Sequence, residues 1–293
     1  FSILVPDNFA TDNGSTGIRH LVIDHFKLNE FLSFENRKGI FAAVASKYKF
    51  AVLSFDGKSK KEKYSFKAFF YRHYLSDLNN DEIKMDYPFS FLFEMEPERY
   101  AMVEAENKVT FKLFRKIRTT FRPLRDTNFI KFGRDFDKTN DVDKIHNWNR
   151  DKKTDIPLFQ GKYMNQFKLY GLKVTDALDQ KIVESKIGDD IKTYRLGVRH
   201  IASSNNERSL IATLFPPYSV GSDSLQMQRN AVHMSLSAKL FDLGLLNSYV
   251  IDFTLRQLIS MNVSLIFLQQ LPIPKDSDLE DSSQIIQIVK ALL

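Results

Sequence analysis

The segment LNSYVIDFTLRQ occupies residues 246–257, and the short segment LPIP follows it at residues 271–274. Apolar side chains are dense across the first segment, which predicts a buried helix over residues 247–259. The apolar run at residues 263–268 predicts a strand after that helix. Proline cannot continue regular backbone hydrogen bonding, so LPIP marks a stop.

Two charged side chains interrupt the predicted helix. Asp252 and Arg256 are four residues apart, so they lie on one helical face and can pair. On a helix this apolar the face is partly buried, and a partly buried pair is costly to break from one side because its partner is left unpaired. We therefore predict that this pair holds the region together and does not contact a ligand.

The amino-terminal part of the chain alternates between strand and helix patterns. Residues 1–5 predict a buried strand, residues 14–26 a helix, and residues 27–34 and 47–55 two further strands. This order indicates an α/β fold. The polar run GKSKKEK at residues 57–63 predicts a boundary after the last strand.

Two longer helices are predicted in the middle of the chain. Residues 225–245 predict a helix that is interrupted near Asn230. Residues 103–121 predict an amphipathic helix whose apolar face consists of Val109, Leu113 and Ile117.

The composition excludes several classes of protein. The 293 residues suffice for one large domain or two ordinary ones, and 43% hydrophobic with 27% charged residues is typical of a globular protein. No apolar run approaches the roughly 18 residues that a membrane helix needs, and the first residues lack the features of a signal peptide. Cysteine is absent, which excludes a disulfide framework and fits a reducing cytosol.

Charge is segregated along the chain. Residues 77–106 hold nine acidic and two basic residues, whereas residues 108–134 hold nine basic residues and one acidic residue. Such segregation creates a directional field that can steer a polyanion to one face. A solvated helix face beside its counter-charged neighbour would give the same pattern.

Motifs for nucleotide chemistry are missing. None of the 11 glycines forms a Gly-x-Gly pair, so no dinucleotide or S-adenosylmethionine loop is predicted. The triplet at residues 57–59 imitates the end of a P-loop, but Val52 stands where its first glycine is required. Two short segments imitate the catalytic loop of amino-methyltransferases. In FPPY at residues 215–218, phenylalanine stands where a hydrogen-bond acceptor is required, and its side chain cannot accept. In DYPF at residues 86–89, tyrosine replaces the first proline.

A nuclease or metal site is also weakly supported. Asp176, followed by Glu184 and Lys186, loosely matches the acid…Glu-x-Lys metal site of nucleases. Acidic and basic residues on a charged helix produce such a match by chance. The six histidines show no paired ligand spacing. We therefore expect no catalytic residue and no metal ligand, and we expect mutation of Glu184 or Lys186 to have no effect.

Three sequence blocks stand out in the carboxy-terminal half. They are RDFDKTND at 134–141 with IPLFQGKYMNQF at 156–167, then YRLGVRHIA at 194–202 with NERSLI at 206–211 and the prolines at 216–217, and finally residues 247–274. Together these blocks resemble the target-recognition region of bacterial adenine-specific DNA methyltransferases. The resemblance extends to a TaqI-like specificity domain and to the large fused restriction–modification enzymes of type IIG and their BREX-system relatives.

The amino-terminal residues resemble the end of a catalytic domain in the same family. FSILVP at residues 1–6, followed by a helix that opens near Arg19, matches the passage after the catalytic loop. The strand at residues 47–55 resembles the one that carries an aromatic side chain stacking on the flipped adenine, and Phe55 stands in that place. Alternatively, Phe55 simply ends a core strand.

The resemblance implies an α/β remnant of a Rossmann-like methyltransferase domain at residues 1–57, a connecting region at 58–115 and an α+β target-recognition domain at 116–293. The parent enzyme would use S-adenosylmethionine, with its cofactor and catalytic motifs in an amino-terminal half missing from this sequence. It would serve restriction–modification or phage defence in the bacterial cytoplasm, and its partner would be double-stranded DNA.

Residues that contact DNA are expected to be cations and amides within the recognition blocks. Lys162 follows Gly161, whose missing side chain permits close backbone approach. For Arg208, a structural ion pair with Glu207 or Asp223 explains its presence as well as a DNA contact does. The candidates are Lys162, Gln166, Arg199, Arg208 and Arg134.

A second class of function fits the same sequence. The 26 phenylalanines and the acidic stretch at residues 77–106 suit an interaction module that docks a partner subunit or an inhibitor that mimics DNA. Phosphate binding weakens steeply with salt, whereas apolar docking does not, so salt dependence separates the two.

Overall fold

A computed structural model describes residues 1–58, 64–96, 98–126, 130–202, 206–259, 262–274 and 282–293. The chain has a mixed α/β fold with several small sheets, and it divides into two compact units, Phe1–Thr119 and Thr120–Leu293. The predicted connecting region 58–115 therefore belongs to the same unit as residues 1–57. The roles assigned to these ranges stay predictions.

A five-stranded sheet with the strand order β1-β3-β2-β4-β5 forms the first unit. Helix α1 (Thr16–His25) connects β1 to β2, and β3 runs antiparallel to both, so the predicted order of strand, helix, strand, strand is confirmed. The polar run at 57–63, of which residues 59–63 lie outside the described residues, falls between two strands of this one sheet. The strands are β1 (Ser2–Pro6), β2 (Phe26–Glu35), β3 (Lys49–Lys58), β4 (Ser65–Arg72) and β5 (Met85–Pro88).

Strand β1 lies at the edge of this sheet, and the prediction that it is buried was wrong. Among the described strands β1 pairs with β3 alone. The side chains of Ile3 and Leu4 are 48% and 51% exposed. Because successive side chains point to opposite faces, β1 exposes apolar surface on both. A nearly continuous apolar run is typical of a strand covered on both faces of its sheet, which accounts for the prediction.

The first unit also contains two helices, α2 (Phe89–Met95) and α3 (Lys108–Thr120). The predicted helix over 103–121 is confirmed as α3, but it buries a different face. Phe111, Phe114 and Arg118 are buried, whereas Val109 and Leu113 are exposed. Aromatic rings bury more area than valine or leucine, so they determine which face turns inward.

The second unit contains, within the described residues, two four-stranded sheets and a hairpin. One sheet, of order β13-β12-β15-β6, consists of β6 (Lys131–Gly133), β12 (Arg195–Arg199), β13 (Ala212–Phe215) and β15 (Leu225–Arg229). The other, of order β14-β8-β11-β7, consists of β7 (His146–Asn147), β8 (Asp155–Phe159), β11 (Asp176–Asp179) and β14 (Val220–Gly221). The hairpin consists of β9 (Met164–Asn165) and β10 (Lys168–Leu169).

Strand β15 lies in the first part of the helix predicted over residues 225–245, whereas α5 (Leu236–Leu246) confirms the second part. Leu225 and Met227 point to one face of the sheet, Gln226 and Gln228 to the other, and all four are buried. The sequence LQMQ at residues 225–228 alternates apolar and polar side chains, which is the period-two pattern of a strand, so the prediction of a helix here was wrong. Asn230 then adopts a left-handed backbone conformation, with φ of 61°, and ends the strand.

A helical layer completes the second unit. Helix α6 confirms the helix predicted over 247–259, whereas the strand predicted over 263–268 is wrong, because α7 lies there. A short apolar run does not distinguish a buried strand from a buried helix. The helices are α4 (Gln180–Ile187), α5 (Leu236–Leu246), α6 (Tyr249–Arg256), α7 (Leu265–Gln269) and α8 (Ser282–Leu292).

The largest apolar cluster of the second unit lies between β12 and the helices. Leu196 and Val198 of β12 belong to the same cluster as Leu243 of α5 and Leu255 of α6. This packing fixes one face of the β12 sheet and leaves its other face to a smaller cluster around Phe215. In the part of the chain described, no helix has the length and apolarity that crossing a membrane requires.

Candidate nucleic-acid interface

The hairpin of the second unit carries two of the predicted DNA-contact residues. Its pairing is extended by a hydrogen bond from the Tyr170 amide to the Tyr163 carbonyl (2.8 Å). Lys162 is exposed, and its ammonium lies 4.9 Å from the centre of the Tyr163 ring. Gln166 lies at the turn beside Phe167, whose φ of 60° is unusual for a bulky residue. The hairpin thus presents a cation at its open end and an amide at its turn.

Arg199 packs against this hairpin and is partly buried. Its guanidinium donates to the carbonyl oxygen of Met164, and burial lowers its pKa. A Cβ added to Gly161 would lie 3.2 Å from both Arg199 Cγ and the Ser224 carbonyl oxygen. The groups that approach Gly161 closely are therefore Arg199 and Ser224 of the same chain. Arg199 both orients the hairpin and contributes a positive charge beside it.

Arg208 is held by its neighbours. The guanidinium lies 4.3 Å from the centre of the Tyr249 ring and donates to the Asn247 carbonyl oxygen. When the Gln166 amide is oriented so that donors face acceptors, its oxygen accepts from Arg208 Nη2 (3.0 Å) and Nε (3.1 Å). The ion-pair partner of Arg208 is Asp252, at 4.0 Å, and neither of the two acids that the sequence suggested. Gln166 and Arg208 therefore act as one unit.

The predicted pair between Asp252 and Arg256 is confirmed, with 2.8 Å between Arg256 Nε and Asp252 Oδ2. Asp252 is buried, and its Oδ1 accepts from the amides of Ser209 (2.9 Å) and Leu210 (2.6 Å). The carboxylate thus joins α6 to the segment that enters β13. Sequence reasoning found the ion pair but missed the two amides, which lie more than 40 positions away.

Asn247 forms a second link to β13. Its side-chain amide donates to the Ala212 carbonyl oxygen (3.0 Å) and its side-chain oxygen accepts from the Ala212 amide (3.1 Å). These two bonds pair with the strand backbone as a neighbouring strand would. The blocks at 206–211 and 247–274 are therefore one physical assembly.

We expect Arg256→Ala to lower the melting temperature of the second unit. Asp252 would keep its two amide donors but lose its nearest cation, and a one-sided loss at a buried carboxylate costs about 1–3 kcal/mol. Fluorescence of Trp148, the sole tryptophan, measures unfolding of this unit. The exposed Arg122 supplies the control variant Arg122→Ala. Unchanged melting with lost DNA affinity would identify Arg256 as a contact residue instead.

Arg134 is exposed and contacts His200. Arg134 Nη2 lies 3.2 Å from His200 Nε2, and His200 Nδ1 lies 3.0 Å from the Val263 carbonyl oxygen. Because a carbonyl only accepts, we assign the hydrogen to Nδ1, which leaves Nε2 to accept from Arg134. The Ser224 carbonyl oxygen accepts from the His200 amide, and Ser224 Oγ accepts from the Gly161 amide. Arg134 is thus linked through His200 and Ser224 to the start of the hairpin, where Lys162 and Arg199 also lie, whereas Gln166 and Arg208 lie at its turn.

Phe55 lies in the first unit and is buried. It is 2% exposed, and its ring centre lies 5.2 Å from that of Phe1 and 6.3 Å from that of Phe26. Because β3 runs antiparallel to β1 and β2, Phe55 lies beside the amino ends of those strands. Ligands in open α/β sheets bind outside the carboxyl ends. The core alternative thus has the stronger geometric support, and the base-stacking role stays a prediction.

The residues of the loosely matched metal site have other partners. Asp176 pairs with Lys138 at 2.6 Å, and Lys186 pairs with Asp141 at 3.1 Å. Within the described ranges, no group of three or more His, Cys, Asp or Glu side chains is placed to hold a metal ion.

A feature that sequence reasoning missed lies beside the hairpin. The Arg150 guanidinium lies 4.2 Å from the centre of the Trp148 ring. Its Nη2 is within hydrogen-bond distance of the carbonyl oxygens of Gly171 (3.4 Å), Leu172 (3.0 Å) and Val174 (3.2 Å). The sequence shows an arginine near a tryptophan, but nothing in it indicates these distant carbonyls.

Comparisons with known proteins give structural neighbours only. No family model and no curated protein matches the chain. The type IIG restriction endonuclease BpuSI matches 99% of this chain at 12% identity and a TM-score of 0.43, and the match spans 42% of that protein. The type IIL restriction–modification enzyme MmeI, in complex with DNA, matches 99% at 9% identity and a TM-score of 0.46, over 41% of its length.

A nuclease-deletion mutant of the type ISP enzyme LlaGI, in complex with a DNA substrate mimic, matches 99% of this chain at 10% identity and a TM-score of 0.45, over 34% of its own length. These solved structures are therefore restriction–modification enzymes, and this chain spans less than half the length of each.

Proposed function

We propose that this chain recognises DNA by sequence within an S-adenosylmethionine-dependent DNA adenine methyltransferase of a restriction–modification or phage-defence system. The first unit would hold the last strands of a Rossmann-like catalytic domain. The second unit would be the target-recognition domain. Such a protein works in the bacterial cytoplasm, where its substrate DNA lies.

The convergence of cations on one hairpin carries this proposal. Lys162, Arg134, Arg199 and Arg208 come from four separate segments, and the contacts described above gather them around β9 and β10. Phosphates need Lys and Arg, and a positioned amide such as that of Gln166 suits a base edge. Lys162 and Arg134 are exposed, so their charges are available to phosphate groups. Arg199 and Arg208 bond to Met164 and Gln166 of the hairpin and thereby hold it in place.

The chemistry of methyl transfer is assigned to another part of the parent protein. A cavity of about 170 Å³ in the second unit has a mainly apolar lining that includes Leu124 and Phe241, with Ser235, Ser237 and Asp242 as its polar members. We assign no cofactor to it. Strand β1 is an edge strand with exposed apolar side chains, so it offers a pairing surface to a further strand of the parent enzyme.

We expect the chain to bind double-stranded DNA with a steep salt dependence, and Lys162→Ala to weaken that binding. The logarithm of affinity should fall with the logarithm of salt by about 0.9 per neutralised phosphate. Lys162→Ala should make that slope shallower by about one unit, and should weaken binding to all duplexes alike. Fluorescence anisotropy with labelled duplexes of several unrelated sequences measures both effects.

The control is Lys290→Ala, which removes an exposed lysine from α8 and should leave the slope unchanged. A loss confined to one duplex sequence would mean that Lys162 reads a base. A nearly flat salt dependence would reject DNA binding and favour the alternative, an interaction module that docks an apolar partner.

A further inference from the structure

Leu172 has the most exposed large apolar side chain among the described residues, at 91%. It lies in a single turn, Gly171–Lys173, directly after the hairpin. Isolated exposed leucines are common and need no explanation by themselves. The backbone around this leucine, however, is unusually constrained.

The exposed side chain of Arg150 bonds to the backbone of this turn. Its guanidinium lies 4.2 Å from the centre of the Trp148 ring. It donates to the carbonyl oxygens of Gly171 and Leu172 in the turn and of Val174 directly after it. The Trp148 amide donates to the Thr175 carbonyl oxygen (2.7 Å), and Val174 is buried beneath. The side chain of Leu172 is thus exposed while its backbone is held by hydrogen bonds, so little backbone conformational entropy is lost when a ligand buries the side chain.

The same turn lies at the open end of the hairpin. Because Tyr163 and Tyr170 pair through their backbones, Lys162 and the turn that carries Leu172 emerge side by side. Lys173 lies over the Tyr170 ring at 5.3 Å. Residues 148–173 hold six basic and two acidic residues, and one of those acids, Asp155, is already paired with Lys152. An apolar tip flanked by cations complements a groove lined with phosphates.

We propose that the turn Gly171–Lys173 is a wedge that inserts the Leu172 side chain into a DNA groove and partly unstacks a base step. The inference rests on the proposed function. Apolar wedges of this kind, supported by neighbouring cations, unstack and kink duplexes, and the cost of unstacking is offset by the surface that the bend brings into contact. Lys162 and Lys173 would bind the phosphates that flank the inserted Leu172 side chain. Arg150 would keep the backbone of the turn Gly171–Lys173 in place through its hydrogen bonds.

The test uses the full chain and a short duplex selected from a randomised pool by the wild-type protein. Leu172→Ala should weaken affinity for that duplex about tenfold, because burial of a leucine side chain is lost. With fluorophores at the two ends of the duplex, wild-type binding should shorten the end-to-end distance, and binding of Leu172→Ala should not. Leu236→Ala, which truncates another exposed leucine of the same unit, is the matched control.

Arg150→Gln gives a second variant that keeps Leu172 but removes its support. It should reduce kinking more than affinity, because the phosphate contacts persist. If the wild-type chain enriches no duplex from the pool, the proposed function and the wedge fail together. If it binds and Leu172→Ala neither weakens affinity nor changes the end-to-end distance, the wedge alone is wrong and DNA binding stands.

Discussion

Asp135→Ala is expected to lower the free energy of unfolding of the second unit by about 3–5 kcal/mol, the typical cost of removing one partner from a buried ion pair. Asp135 and Arg195 are both almost completely buried, and they form two hydrogen bonds of 3.1 and 2.7 Å. The carboxylate also accepts from the Gly221 amide (3.1 Å) and lies 3.3 Å from Arg229. Its removal would leave a buried guanidinium without its counter-charge beside a second cation.

The measurement is urea unfolding followed by the fluorescence of Trp148, which reports on the second unit alone. Asp189→Ala is the matched control, because Asp189 forms a single exposed pair with Lys192 at 2.7 Å. An exposed pair of this kind contributes about 0–1 kcal/mol. If the two variants unfold at the same urea concentration, the buried network does not stabilise the unit.

Arg19→Ala is expected to destabilise the first unit by about 3 kcal/mol or more, because buried carbonyl groups would lose a charged donor. The Arg19 side chain is fully buried, and burial lowers the pKa of its guanidinium. It donates to the carbonyl oxygens of Arg99 (2.7 Å), Phe9 (2.8 Å) and Asp12 (2.8 Å). One planar group thereby joins α1 to the turn after β1 and to the segment after α2.

Hydrogen–deuterium exchange of peptides from β2 and β3 measures this effect without a tryptophan. Arg19→Lys should rescue little, because a single ammonium cannot reach the three carbonyl groups in the way a planar guanidinium does. Arg37→Ala, at a side chain that is 66% exposed and paired with Glu35, should leave exchange unchanged. Equal protection in Arg19→Ala and wild type would mean that the network is dispensable.

Sequence reasoning succeeded where one local property dominates. Helix α1 and the strands β2 and β3 were predicted from alternation and periodicity, and α6 from its dense apolar positions. It failed at β15, where the alternation of residues 225–228 was assigned to a helix, and at α7, where a run of few apolar residues fits a strand and a helix equally well.

The candidate interface was predicted as a set of residues but not as an arrangement. Lys162 and Arg134 are exposed cations, as expected, whereas Arg208 is held by Gln166 and Tyr249. A single cation in a sequence does not reveal its partners. Nor did exposure of Leu172 follow from the sequence, because it depends on contacts of the folded backbone that the sequence does not show.

By itself, the sequence determined what the chain lacks and where its regular elements begin: no Gly-x-Gly loop, no cysteine, and helix and strand periodicities that are properties of neighbouring residues. Only the tertiary structure decided what the polar residues do. Asn247, Asp252, Arg150 and Arg195 each bond to groups that are more than 20 positions away. Hydrogen bonds and ion pairs act over about 3 Å, so their partners are fixed by the path of the folded backbone and not by spacing along the chain.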